Sequence, residues 1–192
     1  MDTRTIFFVG KPGSGKGTQA KLLSEATGWK VITPGEQFRA MSVEETPVGR
    51  KVRVGNDSGL LQPHWLAMYL YLKSLFSISE GEGAIFDGAG RKVPEAELIV
   101  DSLKWLGRSF TVLNLNVSDK EVRHRLALRK EIESRADDNA VTERLKEYYE
   151  HTNPAIEVFH KAGMCIEING EQTREAIAAD INTALGIALS AG

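Results

Sequence analysis

The sequence predicts an α/β fold built on a largely parallel sheet, and three observations carry that prediction. Short apolar, β-rich runs alternate with longer stretches of helical spacing, a glycine-rich turn joins the first run to the first helix, and the composition is that of an ordinary globular chain. Apolar runs at 5–9, 30–32, 84–86, 110–117 and 164–168, each bounded by Gly, Asp or Ser, read as five strands. Helical spacing covers 16–26, 63–76, 94–106, 118–130, 141–160 and 173–189. Such alternation requires right-handed crossovers, and it places ligands at the carboxyl ends of the strands.

Two segments interrupt the alternation. Residues 34–62 read as a small helical insertion of three short pieces, punctuated by Pro47, Gly49, Gly55 and Gly59. Residues 130–138 are dense in charge and lack an apolar stripe, so they read as an exposed connection between two helices.

The 192 residues fit one domain with insertions. With 24 basic and 26 acidic side chains the formal charge is −2, which excludes the cationic face of a nucleic-acid or membrane-surface binder. Any anion binding must therefore be local. A hydrophobic content of 42% with 26% charged residues excludes disorder, collagen and coiled coil. The single cysteine, Cys165, rules out an intramolecular disulfide and a cysteine-based structural zinc site, and it suits a reducing compartment. No apolar run approaches the roughly 18–20 residues of a membrane span. The expectation is a soluble, cytoplasmic, monomeric chain with no nucleic-acid or membrane partner.

Residues 10–18, Gly-Lys-Pro-Gly-Ser-Gly-Lys-Gly-Thr, directly follow the first strand and open the first helix. Glycines there let consecutive N–H groups point inward at phosphate oxygens, and the helix N-terminus adds the positive end of its dipole. Lys16 supplies a mobile point charge for the outer phosphates. Gly17 stands where the general pattern has a magnesium-binding Ser or Thr, with Thr18 one position later. Further along, Arg125 and Arg129 share one helix face. Like charges there weaken a helix, and an anion held between them removes the conflict.

The run GKPGSGKGTQ resembles the nucleoside monophosphate kinases, and the adenylate kinases in particular. Three further segments continue the resemblance: Thr33-Pro34-Gly35-Glu36-Gln37-Phe38-Arg39, then Phe86-Asp87-Gly88-Ala89-Gly90-Arg91 in place of the family's DGFPR, then Arg125, Arg129, Arg135 and Arg144. The gap from Arg129 to Arg135, without cysteine pairs, matches the short-lid form. The resemblance implies a P-loop kinase fold: a five-stranded parallel sheet flanked by helices, its core formed by 1–32, 63–128 and 139–192. It implies a monophosphate-binding insertion over 33–62 and a short lid over 129–138.

By the same resemblance, ATP sits on Gly13, Ser14, Gly15, Lys16, Gly17 and Thr18, with Arg125 stacked on its base and Gly170 offering backbone groups there. The monophosphate falls to Thr33, Gly35, Arg39, Gln62, Gly88 and Arg91, with Glu95 beside its base. Arg91, Arg129, Arg135 and Arg144 join Lys16 around the moving phosphoryl group, and Asp87 holds Mg2+ through water. The implied reaction is reversible transfer of the terminal phosphoryl of ATP–Mg to a nucleoside monophosphate, with AMP first. The alternatives are UMP, CMP or another monophosphate, or a non-catalytic P-loop switch; the full arginine set argues against the switch. Two positions depart from the family near the acceptor base, Pro34 for threonine and Glu95 for glutamine. Glu95 has two readings: a reader of the base, or an acid that starts a helix after Pro94. Gly90 stands where the family has proline.

Other chemistry-bearing residues are assigned no site. His64, His124, His151 and His160 are scattered without ligand spacing. Trp29, Trp65 and Trp105 read as packing residues, and Cys165 as a small buried hydrophobe.

Overall fold

The computed structural model describes residues 4–133 and 140–187, with side chains described except at 4 and 129–133. Five strands, β1 (Arg4–Gly10), β2 (Lys30–Ile32), β3 (Ala84–Asp87), β4 (Ser109–Asn116) and β5 (Cys165–Asn169), form one sheet in the order β2-β3-β1-β4-β5. Every pairing is parallel; Thr5 of β1 faces Ala84 on one side and Phe110 on the other. Neighbouring parallel strands cannot be joined by a tight turn, so helices cross between them and cover both faces.

The period-two alternation of β1 sorts its side chains into two cores. Phe7 and Val9 pack under α4 (His64–Leu75), α5 (Val93–Trp105) and α8 (Asn153–Lys161), chiefly against Tyr71, Ile99 and Phe159. Ile6 and Phe8 pack under α1 (Lys16–Thr27) and α9 (Arg174–Leu185), against Leu23, Ile177 and Ile181. Phe7 stacks on Phe86 of β3 at 5.0 Å between ring centroids. A strand apolar on both faces is thereby buried on both, which fixes the loop that follows it.

The insertion consists of α2 (Pro34–Ser42) and α3 (Pro47–Asp57), so two helices stand where the sequence suggests three pieces. Gly55 does not break α3, because it packs against the Gln62 side chain instead of opening a turn. Thr46 caps α3, its hydroxyl accepting from the Gly49 N–H at 2.9 Å, with Pro47 in the first turn.

The chain then runs through α6 (Asp119–Glu133), α7 (Val141–Glu147), a π-helical turn (Tyr148–Thr152) and α8. Two expectations change here. The helix at 118–130 continues to Glu133, shortening the connection, and the single helix expected over 141–160 is divided by the π turn. The final helix stops at Leu185, because Gly186 adopts a left-handed cap. Trp65 and Trp105, expected to pack, are 60% and 80% exposed; Trp29 does pack, against the second core. No helix among the described residues is long and apolar enough to cross a membrane.

Candidate active site

β1 ends in the loop Gly10–Thr18 at the middle of the sheet, where its neighbours lead away on opposite sides. Gly13 and Gly15 hold φ of 74° and 98°, the left-handed region that lets the backbone curl before α1. Lys16 folds back over this turn and donates to the carbonyl oxygens of Gly10 at 2.9 Å and Lys11 at 2.7 Å. Ser14 N–H donates to Lys11 O at 3.2 Å. The loop is thus tied to itself, with the ammonium beside the N–H groups that open α1.

Lys11 anchors the loop outward. Its ammonium lies 2.6 Å from Asp119 Oδ1, which also accepts from the Tyr149 hydroxyl at 2.7 Å, and it sits over the Tyr149 ring at 5.1 Å. Burial alone would lower the Lys11 pKa, but hydrogen bonds to Asp119 and Tyr149 outweigh it and hold the group up. The same contacts, that from Lys11 first, hold Asp119 below the usual carboxylate range. This tie joins the loop to the root of α6 and to the π turn. Sequence reasoning assigns Lys11 no role, because Asp119 and Tyr149 are distant in the chain.

A cavity of about 1180 Å³ opens over the loop. On the loop side it is lined by Gly13, Ser14, Gly15, Lys16, Gly17 and Thr18. The insertion contributes Thr33, Gly35, Arg39 and Gln62; the end of β3 contributes Asp87, Gly88 and Arg91; Glu95, Arg125 and Arg144 also line it. Gly170 stands beside this lining: its N–H donates to Asn116 O at 2.8 Å and its carbonyl accepts from Arg125 Nη2 at 2.8 Å. Arg129 lies in α6 but its side chain is outside the described residues, as is all of Arg135. The cavity also takes in Arg174 and Glu147. Glu147 accepts from the Leu61 N–H at 3.0 Å and so joins α7 to the end of the insertion, a contact no local pattern signals.

Arg125 corrects one step of the sequence reading. Its Nε lies 2.7 Å from Glu121 Oε1, one helical turn earlier, so an acid and not only an anion balances its charge. Arg39 has a looser partner, Glu36 at 4.0 Å, and remains half-exposed. Gln62 is buried, its amide donating to Val52 O at 3.0 Å and Asn56 Oδ1 at 2.9 Å, so it braces α3 while lining the cavity.

The segment after β3 follows its own path. Gly90 takes φ of 75°, closed to proline, whose ring fixes φ near −65°. A Cβ there would stand 2.9 Å from Phe159 Cζ. Arg91 donates from Nε to Gly88 O at 2.8 Å, and its N–H donates to Glu95 Oε2 at 2.8 Å. Glu95 therefore reaches back from the first turn of α5 to the N–H of Arg91, the residue before the cap Lys92, and ties the turn after β3 to the start of the helix. Burial pushes its carboxyl up, opposed by the Arg91 N–H and by the charges of Arg91 and Lys92.

A nucleotide-binding P-loop protein of the α/β class is what this sheet, loop and cation-lined cavity define. The sequence pattern of the family described as adenylate kinase matches residues 8–164. The adenylate kinase of Phocaeicola vulgatus is 36% identical over 94% of this chain and 97% of its own length. That of Thermus thermophilus is 34% identical over 96% of this chain and 98% of its own. The Bacteroides fragilis enzyme is 36% identical over 92% and 95%. The chain belongs to the adenylate kinase family.

Proposed function

We propose that the cavity over the phosphate loop holds donor and acceptor nucleotides together. The chain is a phosphotransferase that moves the terminal phosphoryl group of ATP to AMP, giving two ADP. One observation carries the two-nucleotide reading: the loop, Arg39, Arg91 and Arg144 line a single cavity of about 1180 Å³. That exceeds the ~300–1,000 Å³ of an ordinary small-ligand site.

In this reading the N–H groups of Gly13–Thr18 and the α1 dipole hold the ATP phosphates. Lys16 exchanges its carbonyl partners for phosphate oxygens and follows the charge as it moves. Arg125 and Gly170, already bonded to each other, border the ATP base. Arg39 and Arg91 grip the monophosphate by their forked donors. Thr33, Gly35, Gln62, Gly88 and Glu95 shape the acceptor side, and Arg129, Arg135 and Arg144 gather round the phosphoryl in flight. An oxygen of the AMP phosphate forms the new bond to the terminal phosphorus as the bond to the bridging oxygen of ATP breaks. The acceptor is already ionised, so no general base is required. The insertion over 33–62 and the lid over 129–138 close on the core of 1–32, 63–128 and 139–192, which aligns the two phosphates and excludes water.

The residues suit a magnesium ion brought with ATP. Asp87 Oδ2 lies 3.1 Å from where a Cβ on Gly17 would stand, so its carboxylate faces the root of α1 beside Lys16 and Thr18. An acid in that position holds the ion through its water shell. When bound, Mg2+ neutralises charge on the outer phosphates. A monomer in the cytoplasm is the proposed working form, and the single cysteine suits a reducing compartment.

The test is an ATP–Mg assay across AMP, UMP, CMP and GMP. Diphosphate should form chiefly with AMP. A UMP or CMP preference would reassign the acceptor, and no diphosphate from any of the four would overturn the reading.

A further inference from the structure

Away from the cavity, α8 packs on β5 and closes a cluster of three dissimilar donors. Cys165 and Glu167 are two apart on β5 and so share one face of the strand. It is the α8 face: Cys165 pairs with Val112 and Glu167 with Asn114, and Val112 belongs to the core under α8. His160, in the last turn of α8, points its Nε2 to within 2.8 Å of Glu167 Oε1, and Cys165 Sγ lies 3.9 Å from that same oxygen. The nitrogen, sulfur and oxygen all lie within 4.8 Å of one another.

The surroundings orient this set. Asn114 is buried on β4 and donates to both Glu167 oxygens, at 3.1 and 3.0 Å, and Asn116 donates to the same carboxylate. The Asn114 side-chain oxygen Oδ1 is buried and finds no donor among the described residues. Glu157, one turn before His160 on α8, adds a second negative charge near the thiol. Among the described residues, no Lys or Arg is paired with Glu167. Three donor types, the carboxylate among them held by two amide side chains, in a locally negative setting, form an arrangement that a cation would complete.

We propose that His160, Cys165 and Glu167 form a binding site for a zinc-class divalent cation. The ion takes imidazole nitrogen, thiolate sulfur and carboxylate oxygen, leaves a fourth position to water, and releases the thiol proton to solvent. Metal–ligand distances of roughly 2.0–2.3 Å put donors of a tetrahedral site about 3.3–3.7 Å apart; the spacings here, 2.8 and 3.9 Å with the third within 4.8 Å, fall on either side of that range, so small side-chain adjustments would seat the ion. A thiolate and an imidazole select zinc over magnesium, so the ion that accompanies ATP does not compete. None of the three side chains lines the nucleotide cavity, so occupancy staples α8 to β5 and leaves turnover unchanged. It also answers why a histidine, a cysteine and an acid without ligand spacing in the sequence converge: a helix end and a strand supply them.

The test uses the full chain, freed of metal with a chelator and titrated with zinc chloride without nucleotide. Calorimetry should give one equivalent, with a raised unfolding midpoint and slowed alkylation of Cys165. His160→Ala and Cys165→Ser should each weaken binding roughly tenfold or more and abolish the midpoint shift. Co2+ should show a thiolate charge-transfer band in the wild type and lose it in Cys165→Ser. Midpoints in chelator check that the variants fold; if Cys165→Ser is itself destabilised, His160→Ala, at the surface, decides. Absence of saturable heat, or wild-type binding in His160→Ala, would overturn the site whatever the kinase assay returns.

Discussion

The phosphate loop after β1 and the Asp87–Arg91 segment after β3 leave adjacent strands, line the same cavity and use the same device. In each, a cationic side chain turns back onto a carbonyl of its own turn: Lys16 onto Gly10 and Lys11, Arg91 onto Gly88. They differ in what holds the backbone. The loop matches its motif and is anchored outward through Lys11 and Asp119. The second segment keeps the family's Asp and Arg but reaches them through Gly90 at φ of 75°, on a path proline cannot take. Residue types therefore report the chemistry of a turn more securely than they report its route, and Glu95, through the Arg91 N–H, takes up the positioning.

The largest expected effect breaks the first turn. Lys16→Ala should cost ~2–4 kcal/mol of transition-state stabilisation while the fold persists, since the side chain bonds to the loop and not to the core, and in the proposed reading it meets the phosphates. Unchanged kcat, or a variant without a cooperative unfolding transition, would contradict the assignment. Next, Gly90→Pro should restore the family residue and damage the protein. Strain at that φ, with contact against Phe159, predicts a loss of about 1–3 kcal/mol in denaturant unfolding and a raised KM for AMP as Arg91 loses its aim. Wild-type values for both would mean that the turn reshapes freely.

A smaller effect tests the loop's outer anchor. Asp119→Asn should cost no more than ~1 kcal/mol, because the pair is partly exposed. The sign follows from a depressed carboxyl. Its contribution is full above the ordinary value of 3.8 and fades as pH falls toward the lower folded value. Unfolding midpoints of wild type and variant should therefore converge in acid, and a constant gap would remove Asp119 from the account.

Glu95→Gln should be the mildest. Glutamine still accepts from the Arg91 N–H, and it escapes the burial that pushes the Glu95 carboxyl up. A raised carboxyl means that ionisation opposes folding as pH rises above the ordinary 4.5, so the variant should be no less stable at neutral pH. A lower KM for AMP would make Glu95 a reader of the acceptor base. An unchanged KM for every monophosphate would leave it as a helix starter alone.

The strands and the loop were legible because each combines a local pattern with flanking punctuation, and strand limits moved by only a residue or so. The π turn was not, since apolar spacing continues smoothly through 141–160 and Pro154 is as acceptable in the first turn of α8 as it is disruptive inside a longer helix. Gly55 misled in the other direction, because a glycine needed for close packing against Gln62 looks like a breaker. The Glu121–Arg125 pair, at i and i+4, is a pairing that sequence spacing alone permits. Lys11–Asp119 and His160–Glu167 were not readable at all, because only the folded sheet sets their partners side by side.

The order of strands also sets when this site can exist during synthesis. β1 is made first, yet both of its neighbours come late: Thr5 waits for Ala84 on one side and Phe110 on the other. With no hairpin among the described strands, the first strand has no local partner there, and its apolar side chains lie open while most of the chain is still being added. A nascent polypeptide halted before β4 would carry the whole phosphate loop as text and none of it as shape. It should bind no nucleotide and be the form most in need of a chaperone.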